Sequence, residues 1–98
     1  MKESQEYYVT LVFPDCVEEY PLPLPGDTLR ARKDHTNRYD DEAIAVYNRH
    51  GRKVAYIANS VRTVARGTHS AGYVYELIPE ETDLTVLFSF RDAVIARI

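Results

Sequence analysis

The run "AIAVYNRHGRKVAYIA", residues 43–58, constrains the fold more tightly than any other stretch of the chain. Two segments rich in β-formers, "AIAVYN" and "KVAYIA", flank "RHGR", where Gly51 supplies the positive φ that a tight hairpin turn requires. This predicts an antiparallel hairpin, whose edges the rest of the chain must cover.

Strands are available on both sides. "YYVTLVF" at residues 7–13 reads as a first strand, and "TLRARKD" at residues 28–34 as a second, with Leu29 and Ala31 on one face and Arg30 and Arg32 on the other. Between them "PDCVEEYPLPLPGD" is a loop: Pro21, Pro23 and Pro25 forbid a central strand, and Gly26 and Asp27 close the extended segment. After the hairpin, "NSVRTVARG" predicts a short amphipathic helix. Asn59 or Ser60 is its N-cap, Val61, Val64 and Ala65 form one face, Arg62 and Arg66 another, and Gly67 is its stop. "YVYELI", "DLTVLFSF" and "AVIARI" predict three more strands, with "PEET" and "RD" as turns. Six or seven short strands with one or two short helices imply a mainly β protein. The expected form is a small OB-like or SH3-like barrel, because closure removes exposed edges.

A chain of 98 residues fits one domain, spanning residues 1–98, and hides roughly 60–65% of its unfolded surface on folding. Its 45% hydrophobic and 28% charged residues belong to the globular class. Cys16 is the only cysteine, which excludes an intrachain disulfide and a cysteine-rich metal cage and fits a reducing compartment. No apolar run approaches the ~20 residues that span a bilayer, and the opening "MKESQEYYVT" has no apolar signal core. The expectation is a cytoplasmic protein with no membrane partner.

Charge is unevenly spread along the chain. Residues 30–66 hold nine Lys/Arg against four Asp/Glu, a net +5, while the remainder holds three against eleven, a net −8. Such a partition predicts a positive face for a polyanion, unless folding scatters the two groups. Arg30 and Arg32, about 6.5–7 Å apart along a strand, have a spacing that addresses neighbouring phosphates of an extended nucleic acid; a solvated strand face is the plainer reading.

Catalysis finds little material here. Asp40, Asp41 and Glu42 are consecutive and diverge at a strand entry, so they do not converge on an ion. His35, His50 and His69 lie in turns or loops without zinc-site spacing, and there is no phosphate-binding loop or nucleophile elbow. No catalytic residue, metal ligand or cofactor is assigned.

Binding uses the same residues without strain. In "NRYDD", Tyr39 offers a ring on which a base can stack, Arg38 and the Arg30, Arg32 and Lys33 strand neutralise phosphate, and Asp40 accepts from a donor such as a sugar hydroxyl. Equally, Asn37 and Asp40 can be Asx-turn residues that order the loop, with Tyr39 packed beneath them.

The segment "GDTLRARKDHTNRYDDEAIAVYNRHGRKVAYI" resembles the HIRAN domain family, whose hallmark is a loop close to D-x-x-N-P-Y-D-x-x-A-I-x-V followed by a Gly-turn hairpin ending in G-Y-I. About a third of the chain carries the match densely. The resemblance implies a small OB-like barrel that binds DNA, especially single-stranded 3′ ends, without catalysis, and that occurs fused to DNA-remodelling ATPases or alone. It implies that Asn37, Tyr39 and Asp40 form the binding loop, with Tyr39 stacking on the terminal nucleotide and Asp40 accepting from the 3′-hydroxyl. Asp34 and residues 43–46 match the surrounding scaffold. Arg38 stands where the family has proline, and Ala55 where it has glycine before Tyr56. Tyr20 is the aromatic available in place of the pair that DNA-binding members carry after the first strand, beside Glu18 and Glu19. DNA is thus the implied partner, with a DNA-processing ATPase as a possible protein partner. The alternative is a protein-interaction module on the same barrel with a degenerate DNA groove.

Overall fold

The computed structural model describes residues 6–13, 22–90 and 93–98. Tyr20, Cys16 and the "RD" turn lie outside the described residues. Six strands, β1 (Tyr8–Val12), β2 (Thr28–Lys33), β3 (Ile44–Tyr47), β4 (Lys53–Ile57), β5 (Glu81–Ser89) and β6 (Val94–Arg97), close an antiparallel barrel in the order β1-β4-β3-β2-β5-β6. The molecule is a small mainly β, OB-like barrel with a single short helix among the described residues, α1 (Ala71–Tyr75).

Period-two alternation decides which side of each strand faces inward. In β2, Leu29 and Ala31 are buried while Arg30 and Arg32 are exposed; Leu84 and Val86, and Val94 and Ala96, repeat the pattern on β5 and β6, whereas on β1 Thr10 is buried along with Val9 and Leu11. The predicted hairpin is present, with Val46 opposite Ala55 and Gly51 at φ 80°. The Asn48 carboxamide fixes the turn by accepting from the backbone N–H groups of His50 and Arg52. Ala55 is fully buried, so the methyl group is accommodated within the core.

Two expectations fail together. Residues 59–67 form turns and no helix: Ser60 O accepts from Thr63 and Val64 N–H, which makes one turn, and then Ala65 N–H is taken by Thr10 Oγ1 and Gly67 adopts φ 90°. Val61, expected on a buried face, is 97% exposed. The helix falls instead on residues read as the strand "YVYELI". Ser70 Oγ caps it by accepting from Tyr73 N–H, and Ala71 and Val74 are buried at the i and i+3 positions of the helix, with Ile78 buried just past its end.

Candidate functional site

Antiparallel pairing brings three segments to one end of the barrel: the 34–43 loop between β2 and β3, the 58–65 loop leaving β4, and α1. The first loop is held by its own short polar side chains. Asp34 Oδ1 accepts from the backbone N–H and hydroxyl of Thr36, and Asn37 Oδ1 accepts from Tyr39 N–H at 2.9 Å and Asp40 N–H at 3.0 Å. Asp40 Oδ1 accepts from Glu42 N–H at 2.9 Å. Asn37 and Asp40 are therefore Asx-type turn residues, as the plainer reading required. Tyr39 departs from that reading, because its ring is 98% exposed and does not pack beneath the loop.

Asp40 also ties the loop to its neighbours. Its Oδ2 accepts from Asn59 Nδ2 at 3.0 Å, and Asn59 Oδ1 in turn accepts from the N–H of Gly72 in α1 at 2.8 Å. A Cβ at position 72 would displace the exposed Glu42 carboxylate, met at 2.5 Å, and crowd Asn59 Oδ1 at 3.2 Å. One carboxamide thus joins all three segments. At the loop's base, Lys53 Nζ donates to the Tyr56 hydroxyl, which donates to Asp34 Oδ2. The Thr36 hydroxyl, followed by Thr36 N–H and Tyr56, holds the Asp34 carboxyl below its ordinary value, while the Tyr56 hydroxyl raises that of Lys53.

The second loop is pinned at both ends to one residue. Thr10 O accepts from Ala58 N–H at 2.7 Å, and Thr10 Oγ1 accepts from Ala65 N–H at 3.0 Å. Thr68 Oγ1 donates to Ala65 O at 2.7 Å, so the 2.8 Å contact between the two threonine hydroxyls has Thr10 as donor. Ala65 N–H, Thr10, Thr68 and Ala65 O form a closed ring around a side chain that is 1% exposed. Val61, Arg62 and Thr63 stand out at the tip.

The other predicted cations are placed differently. Arg30 pairs with Asp83 at 3.3 Å and with Glu81 at 3.7 Å; Arg32 donates to Glu81, which raises its already high pKa, and its guanidinium lies 4.8 Å from the Tyr47 ring centre. These pairs follow from register, since Arg30 faces Asp83 and Arg32 faces Glu81 across β2 and β5. Lys33 Nζ sits 4.7 Å over the Tyr75 ring, and His35 contacts Glu80. The expected free cationic strand is thus interleaved with acid. Arg38, Arg62 and Arg66, by contrast, are exposed and make no ion pair or side-chain hydrogen bond with the described residues. Sequence reasoning had put Arg62 and Arg66 on a helix face and assigned them no role.

Among the described residues no three His, Cys, Asp or Glu side chains gather to hold a metal ion, and no helix is long and apolar enough to cross a membrane. A cleft of about 720 Å³ lies at the far end between Phe13, Leu24, Asn48, His50 and Val54. An extended strand stacking on an exposed ring needs no such cavity, so the loop end remains the candidate surface. Comparison with family models, curated proteins and solved structures finds no match for this chain.

Proposed function

We propose that the chain is a non-catalytic module that binds single-stranded DNA and its 3′ ends at the 34–43 loop, as its resemblance to HIRAN domains implies. The observation that carries this reading is Tyr39: a fully exposed aromatic ring on a loop that four side chain-to-backbone hydrogen bonds, together with the Thr36 hydroxyl bond, have already ordered. Little conformational entropy is left to lose when a base stacks there. Arg38 beside it has no carboxylate among the described residues to neutralise it. A carboxylate has about four lone-pair sites, and Asp40 uses two of them on Glu42 and Asn59, leaving capacity for a terminal hydroxyl.

The test is fluorescence anisotropy with oligonucleotides that differ only at the 3′ end. A 3′-phosphate removes the donor and adds like charge near Asp40, so it should weaken binding by roughly 2 kcal/mol. A 5′-phosphate should change little. Asp40→Asn should reduce the discrimination between ends more than total binding, and Tyr39→Ala should lower binding to both ends by about 1–3 kcal/mol. Equal affinity for 3′-hydroxyl, 3′-phosphate and circular strands would reduce the loop to a turn.

A second reading, a protein-interaction module, has its own observation. Phe88 and Phe90 stack with ring centres 6.1 Å apart near the end of β5 and are 56% and 58% exposed. Salt separates the two readings: several phosphate contacts give a slope near −0.7 each for a single strand, whereas an apolar contact gives almost none.

A further inference from the structure

Resting on the DNA-binding reading, we infer that the 58–65 loop, together with Arg66 directly after it, is a second contact for the same strand, with Arg62 and Arg66 taking the phosphates that follow the nucleotide stacked on Tyr39. Three observations converge on it. The cations are sorted: Arg30 and Arg32 are neutralised by Glu81 and Asp83, whereas Arg38, Arg62 and Arg66 have no such partner among the described residues. Arg49, whose contact is with His50, belongs to the β3–β4 turn at the opposite end of β3 from Tyr39. The unpaired positive charge of this end therefore lies on the two neighbouring loops.

The loops are also coupled. Asn59, three residues before Arg62, donates to Asp40, the neighbour of Tyr39. Among the described residues, the two large apolar side chains with the greatest exposure are Tyr39 at 98%, next in sequence to Asp40, and Val61 at 97%, two residues after Asn59, and each adjoins an unpaired arginine. An aromatic and an aliphatic tip, each beside a guanidinium, match the alternation of base and phosphate along a single strand. The Thr10–Thr68 ring closes the loop's neck, and Ser60 accepts from the N–H groups of Arg62, Thr63 and Val64 at its tip, whose side chains at 61–63 face solvent. A tip held in place this way meets a strand without first being ordered.

Chain length and salt test the inference. For an oligonucleotide of about twelve nucleotides, within the range that one small barrel covers, Arg62→Ala/Arg66→Ala should lower affinity on the order of tenfold at 0.1 M salt. It should also flatten the salt slope by about 1.4, two phosphates' worth. A dinucleotide ending in a 3′-hydroxyl, which reaches only the Tyr39 loop, should be indifferent to the same variant, measured by competition against the labelled longer strand. Both arginines are exposed, so the variant should keep the native melting temperature. If the protein binds the long strand and Tyr39→Ala weakens it, but Arg62→Ala/Arg66→Ala leaves affinity and slope unchanged, the second contact is wrong and the first stands. If the unaltered protein binds neither oligonucleotide at low salt, the DNA-binding reading falls and takes this inference with it.

Discussion

The β2–β5 face and the loop end of the barrel carry arginines from the same basic stretch of sequence, yet folding treats them oppositely. On the face, strand register sets Arg30 against Asp83 and Arg32 against Glu81, and the shallow groove there, about 460 Å³, is lined by both signs of charge. At the loop end, Arg38, Arg62 and Arg66 project from turns, where no neighbouring strand brings a carboxylate opposite them. Net charge in a sequence window is therefore a poor guide to surface charge. An acidic strand about fifty residues away pairs with two of the nine cations of the basic region, Arg30 and Arg32, while Arg38, Arg62 and Arg66 keep their charge unpaired among the described residues.

The two regions also differ in what holds them: exposed ion pairs on the face, side chain-to-backbone hydrogen bonds at the loop end. The largest effect is expected where the latter are buried. Thr10→Val preserves shape but removes the acceptor of Ala65 N–H and the donor to Thr68, so it should cost about 1–3 kcal/mol in urea denaturation. Thr10→Ser, which keeps the hydroxyl, should lose less. A valine variant as stable as the native protein would mean that the ring does not lock the loop.

Asn59→Ala should have the next largest effect. It takes the donor from Asp40 and the acceptor from Gly72 N–H, both only partly buried, so about 1 kcal/mol is expected. Hydrogen exchange gives the sharper readout. The Gly72 amide should exchange faster while the Ala65 amide, held by Thr10, keeps its protection; equal acceleration of both would show that the end of the barrel opens as one unit.

A smaller, pH-dependent contribution comes from Asp34. Its carboxyl titrates below the ordinary 3.8 in the folded protein, chiefly through the Thr36 hydroxyl, so folding favours the charged form. The resulting stability is complete above the unfolded value and is lost as pH falls through the lower folded value. Urea midpoints between about pH 6 and pH 3 should fall less steeply for Asp34→Asn than for the native chain. Parallel curves would show that these hydrogen bonds do not favour the carboxylate.

How much of this was legible in the sequence depended on how far apart the interacting residues lie. The hairpin was legible because Gly51 and its flanking strands form a local unit, and β2 because a two-residue alternation is visible within six residues. The Asx turns at Asn37 and Asp40 reach two or three residues, so they too could be read. The ion pairs on β2 span 49 to 53 residues and depend on register, which composition does not encode. The helix was misplaced for a related reason. "SVRTVAR" has helical spacing, but Thr10, 55 residues earlier, captures the N–H of Ala65 and ends the turn. "AGYVY" is rich in β-formers, yet Ser70 caps it and the helix buries Ala71 and Val74, so packing overrides propensity.

The smallest effect is expected on the β2–β5 face, and that smallness bears most directly on the contrast between the two regions. Arg30→Gln/Arg32→Gln removes two cations whose charge is already balanced in an exposed setting, so the urea midpoint should not move measurably. Affinity for single-stranded DNA should also change little, because displacing Glu81 and Asp83 would offset much of what a phosphate gains there. The complementary variant, Glu81→Gln/Asp83→Asn, leaves both arginines in place and removes their partners. If the balance of charge is what silences this face, the freed arginines should strengthen binding and steepen the salt slope by up to about 1.4. If Arg30→Gln/Arg32→Gln instead weakens binding as much as Arg62→Ala/Arg66→Ala does, the strand runs along β2 and the carboxylates of β5 give way to it. The difference between the two regions would then hold only in the absence of DNA.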